Sequence, residues 1–143
     1  RALFCETPTY TGFYRAFGME IPDSQRVDFI GAELEFIDWL LFKEERAKGE
    51  GRLEEAAVCL SARANFLKSH LGRWAPFFAE NLLREARHPF YRLVAKTVQD
   101  LVTDDCRRLG LEPEKVAEWR PAPALEEMGC GPDQDHAPVC RGS

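Results

Sequence analysis

Between about residues 25 and 71 the apolar side chains recur at intervals of three and four, and only an α-helix gathers such positions on one face. In the first half of that stretch the stripe is Val27, Ile30, Leu34, Ile37 and Leu41. Phe36, Trp39 and Leu40 widen it, which predicts a helix over 25–48 buried on much of its circumference. Gly49 and Gly51 end it, and Asp23 or Ser24 is placed to cap its free N–H groups. In the second half, over 52–71, Leu53, Ala57, Leu60, Ala64, Leu67 and Leu71 step by four and three, the narrow seam of an antiparallel bundle.

The flanking segments read in the same way. Residues 8–17 form a short aromatic helix, with Tyr10, Phe13, Tyr14 and Phe17 at helical spacing, and Gly18 closes it. Gly72 punctuates the chain before a helix over 74–87 that carries Phe77, Phe78, Leu82 and Leu83, with Pro76 tolerated in its first turn. His88-Pro89 interrupts again. A last helix over 90–109 carries Leu93, Val94, Val98, Leu101 and Val102 and stops at Gly110. The fold class expected is all-α, a helical bundle of about five helices occupying residues 1–120.

Past Arg120 the composition changes. Pro121, Pro123, Gly129, Gly131, Pro132 and Pro138 make residues 121–143 an irregular Pro/Gly-rich C-terminal tail. With 143 residues, 45% apolar and 11% aromatic, the chain is long enough for one packed core. No apolar run reaches the length of a membrane span, and no secretory leader opens the sequence. A net charge of −5 without a basic stripe argues against nucleic acid as the partner and favours a basic peptide. Five scattered cysteines without a leader argue against a disulfide framework and for a cytoplasmic chain.

Catalytic patterns are scarce. Glu33 and Glu35 stand two apart on a helix and point in different directions, a poor arrangement for paired acid/base work. Residues alone read them as solvated faces, and no Glu-x-x-His di-metal pattern is present. His70 reads as a helix-end histidine near the last carbonyls, or as a groove residue beside Trp74. No phosphate-binding glycine loop follows a strand, and no nucleophile can be set beside a base. In the tail, Cys130, His136 and Cys140 supply three zinc-type ligands where a structural site wants four. That set supports an alternative reading, a small helical protein that binds metal or senses redox state through its tail.

Four elements in order resemble one known family. Gly12-Phe13-Tyr14-Arg15-Ala16-Phe17-Gly18 is similar to its aromatic helix, and Glu33-Leu34-Glu35-Phe36 to its ELEF element. Phe66-Leu67, His70-Leu71 and Trp74 match FLxxHLxxW, and Pro89-Phe90-Tyr91 resembles the pair opening its last long helix. The family is that of the TorD/DmsD/NarJ chaperones, which mature molybdenum enzymes, and the likeness spans roughly residues 10–110. Where the family carries Pro-Asp-His ahead of ELEF, this chain has Val27-Asp28-Phe29, so only Asp28 carries over. Family members also place several helices before the aromatic one. Either those N-terminal helices are missing from this sequence, or a second copy supplies them in a homodimer formed by helix exchange.

The resemblance implies no catalysis and no cofactor of the chain's own. It implies a cytoplasmic chaperone for a molybdenum-cofactor oxidoreductase of the DMSO reductase type. Such a chaperone binds the precursor's twin-arginine leader peptide, the apo-enzyme, or both, and assists cofactor insertion before export. Carried over, Asp28, Glu33 and Glu35 supply charge to the leader. Phe29, Phe36, His70, Trp74 and Tyr14 supply apolar or aromatic contacts.

Overall fold

In the computed structural model, residues 9–116 are described, and they form five helices: α1 (Tyr10–Ala16), α2 (Ile30–Gly49), α3 (Leu53–Ser69), α4 (Leu71–Glu85) and α5 (Pro89–Arg108). No strand occurs among the described residues, so the all-α expectation holds. The tail predicted over 121–143 lies outside them. Helices α2 and α3 lie along each other, α4 and α5 do the same, and α3 joins the two pairs.

Local chemistry sets the helix ends. Thr9 caps α1 by accepting from the Gly12 N–H at 3.2 Å. Helix α2 stops where Gly51 turns left-handed (φ +72°), so that the Arg52 N–H reaches the Ala47 carbonyl at 2.8 Å. Gly18 and Gly110 repeat that closure for α1 and α5. His88 caps α5 through Nδ1, and Pro89 takes the first helical position, where a missing N–H costs nothing.

Three boundaries and two faces differ from the periodicity reading. Helix α2 starts at Ile30 rather than near 25, and its N-cap is Phe29 rather than Asp23 or Ser24. The Tyr14 hydroxyl donates to the Val27 carbonyl at 2.8 Å, which holds that strip of backbone outside the helix. The break between α3 and α4 falls at His70, not Gly72. Gly72 instead lies inside α4 at a close approach, where an added Cβ would sit 2.5 Å from the Leu67 carbonyl oxygen and 2.8 Å from the Pro113 ring. Because α4 begins at Leu71, Pro76 is interior and removes the bond that Gly72's carbonyl would otherwise accept.

On α3 the buried face is Ala56, Cys59, Ala62, Arg63, Phe66 and Leu67, rotated from the expected seam; Leu53 is 69% exposed. On α5 the buried stripe is Ala95, Val98, Val102 and Cys106. Leu93, Val94 and Leu101, expected inside, are exposed, because α5 turns the Ala95, Val98, Val102 and Cys106 stripe toward α4 and α3.

At the centre lie Phe36, Phe66, Leu40, Leu67 and Leu71, with Phe13 and Tyr14 of α1 packed onto them. Each such side chain contributes about 1.5–3 kcal/mol by leaving water. The rings meet edge to face, Phe13 on Phe66 at 5.3 Å and Phe36 on Phe66 at 4.8 Å between centroids.

Candidate functional site

One acidic side chain lies entirely inside this core. Glu33, in the first turn of α2, has no exposed surface, contrary to the solvated face expected from its spacing. The Trp74 indole N–H, from the first turn of α4, points at both carboxyl oxygens, 3.2 Å from Oε1 and 3.4 Å from Oε2. The Tyr10 phenol of α1 lies close enough to Glu33 to influence its proton affinity. Burial dominates these contacts and pushes the Glu33 carboxyl up to about 8, against the lowering effect of Trp74 and Tyr10. The nearby charge of Asp28 pushes in the same direction as burial. Burial and the neighbouring Glu33 also raise the Tyr10 and Tyr14 phenols above their ordinary range.

Around this carboxyl the aromatic side chains form a closed set. His70, at the junction of α3 and α4, lies 4.2 Å from the Tyr10 ring between centroids, 5.1 Å from Phe66 and 5.6 Å from Phe13. The 41-residue separation between Glu33 and Trp74 is thus closed by the turn at His70. The arrangement offers aromatic area and one proton-binding carboxyl but no nucleophile. Among the described residues no three His, Cys, Asp or Glu side chains are placed to hold a metal ion. Cys130, His136 and Cys140 lie outside the described residues.

Of the site residues expected from sequence, Glu33, Phe36, Tyr14, His70 and Trp74 come together here. Phe36 and Tyr14 are fully enclosed, at 0% and 2% exposure, so with Glu33 they present no surface in this conformation. Glu35 is exposed on the other side of α2. Phe29 is 53% exposed, its ring lying over Gly31, where a Cβ would come within 2.5 Å of it. Asp28 is held by Arg26 through two bonds of 2.9 and 2.7 Å, which keep its carboxyl below the usual range.

Two features escaped the sequence reading. Tyr10 was visible only as one aromatic among several, although its place one turn before Tyr14 marks it as part of the same face. Arg63 sits 7% exposed between Glu44 (3.2 Å) and Asp105, and Lys48 reaches the other Glu44 oxygen at 2.7 Å. This second polar cluster pins α2, α3 and α5 together.

Residues 9–80, which contain every member of the Glu33 cluster, match the family described as nitrate reductase delta subunit. The chain is 34% identical over 110 residues to a chlorate reductase assembly chaperone protein of Ideonella dechloratans, covering 76% of this chain and 55% of that one. It is 32% identical over 108 residues to a selenate reductase assembly chaperone protein of Thauera selenatis, covering 74% and 54%. The chain therefore spans about half the length of the curated relatives it matches. No solved structure matches it significantly.

Proposed function

The chain belongs to the nitrate reductase delta subunit family, and on that premise we propose that it is a non-catalytic assembly chaperone for an oxidoreductase. The observation that carries the reading is the likeness to two reductase assembly chaperones over three quarters of the chain. The site chemistry supports it, since an enclosed aromatic cluster around one carboxyl suits recognition of a peptide better than bond-making. The client is a molybdenum-cofactor enzyme of the DMSO reductase type, held in the cytoplasm before export while its cofactor is inserted. Among the described residues no helix is long and apolar enough to cross a membrane.

Recognition uses the twin-arginine leader of that client. A leader combines guanidinium groups with an apolar, helix-prone stretch, and the α2 N-terminus offers the complement. Asp28 and Glu35 supply accessible carboxylates, Phe29 supplies exposed ring area, and Trp74 and His70 border the enclosed cluster.

Titration calorimetry of the purified chain with a leader peptide from a molybdoenzyme of the same genome tests this. Binding at micromolar affinity or tighter, about −8 kcal/mol, that weakens for an Arg-Arg to Lys-Lys leader is the expected result. Equal affinity for a scrambled peptide would remove the leader from the reading.

A further inference from the structure

Helix α1 presents the recognition pattern of a guest. Tyr10, Phe13, Tyr14 and Phe17 stand at i, i+3, i+4 and i+7, the anchor spacing with which an amphipathic helix fills an apolar groove. The groove is made by Phe36 and Glu33 of α2, Phe66 of α3, His70 at the α3–α4 turn, and Trp74 of α4. Phe13 and Tyr14 are buried in it to 6% and 2% exposure.

Yet α1 is bound like a ligand, not like a member of the bundle. Its seven residues are too few for a helix stable by itself. It lies along no other helix as α2 lies along α3, and it is held through its rings, the Tyr14 hydroxyl bond to the Val27 carbonyl, and the Trp39 indole bond to the carbonyl of its C-cap Phe17. Thirteen non-helical residues, 17–29, link it to α2, and its departure releases the Met19 and Ile21 contacts with the core as well as its own.

We propose that α1 is an intramolecular occupant of the guest groove, displaced by a client helix whose cationic side chain pairs with the Glu33 carboxylate beside Trp74. This rests on the leader-binding reading and names the groove in which it acts. In the closed form the Trp74 indole holds the carboxyl as a neutral donor. A guanidinium entering beside Trp74 makes an ion pair in an apolar surround, which an uncharged helix cannot match. The groove thus discriminates by charge as well as by shape. Asp28 remains outside it, on Arg26.

Two measurements on the full chain test the proposal. In hydrogen exchange the α1 amides are expected to exchange at least a hundredfold faster than those of central α2 and α3, and faster still once leader is added. In calorimetry Tyr10→Ala is expected to tighten leader binding about tenfold. Glu33→Gln is expected to erase the preference for the leader over its Arg-to-Gln form. Protection of α1 equal to that of α2 overturns the displacement, whatever the leader does. Leader binding that weakens in Tyr10→Ala overturns it too, because α1 would then be part of the surface that the guest meets. A leader that binds neither form overturns the leader-binding reading and with it this choice of occupant.

Discussion

Helix α2 buries two glutamates, and they live in opposite chemistry. Glu44 is enclosed at 4% exposure but is bracketed by the Arg63 guanidinium and the Lys48 ammonium. Glu33 is enclosed completely, and among the described residues the Trp74 indole donates to it. A buried carboxylate with cations beside it fixes the elements that carry them, since removing one partner strands the other charges. A buried carboxyl beside a neutral donor stays protonable and keeps capacity for a stronger partner. One region cross-links the bundle; the other holds something in reserve.

The sharpest way to break the comparison is at the cross-link. Arg63→Ala leaves Asp105 and one Glu44 oxygen without their cation and is expected to cost about 3–5 kcal/mol, measured as a lower denaturant midpoint. A loss below about 1 kcal/mol would make the two clusters equivalent in kind. Next in size is the pH dependence that Glu33 imposes. Its folded value near 8 lies above its ordinary value of 4.5, so the folded state binds the proton more tightly. Its contribution is full below pH 4.5, falls as pH rises by roughly 1.4 kcal/mol per pH unit, and is gone above about 8. Denaturant titrations at pH 5 and pH 8.5 should show that decline in the native chain and not in Glu33→Gln.

Smaller again is Trp74→Phe. It keeps most of the ring packing but removes the N–H from both carboxyl oxygens, an expected loss of about 1–2 kcal/mol with the pH midpoint moved higher. An unchanged midpoint would mean that the indole does not hold the carboxyl. Smallest is Asp28→Ala, whose pair with Arg26 is largely exposed, 82% and 42% by side chain. Stability should change by no more than about 0.5 kcal/mol, while leader affinity falls severalfold. Leader affinity equal to that of the native chain would remove Asp28 from the guest surface.

How much of this was legible beforehand depends on the reach of the interaction. Helix type and number follow from apolar spacing and from the glycines at 18, 51 and 110, all of which are local signals. The α3 face was misread because Ala56, Cys59, Ala62 and Arg63 carry little hydropathy, while the more apolar Leu53 and Leu60 stand outside. For Glu33 the spacing argument held in one respect and failed in another. Glu33 and Glu35 do face different ways, but which of them is buried is decided by Trp74, 41 residues on, and by Tyr10. Sequence resemblance collected those residues without saying that three of them, Glu33, Phe36 and Tyr14, would be sealed from solvent.

Trp74 gives the Glu33 carboxyl an optical voice. An indole whose N–H ends on a protonable group senses, 3.2 Å away, the arrival of a full negative charge, and its emission shifts with that field. Trp39, on the same helix as the glutamate, gives its N–H to the Phe17 carbonyl at 2.9 Å, so its emission follows the α1 segment rather than the carboxyl. Trp74 is thus a built-in gauge of what occupies the aromatic interior, with no dye attached.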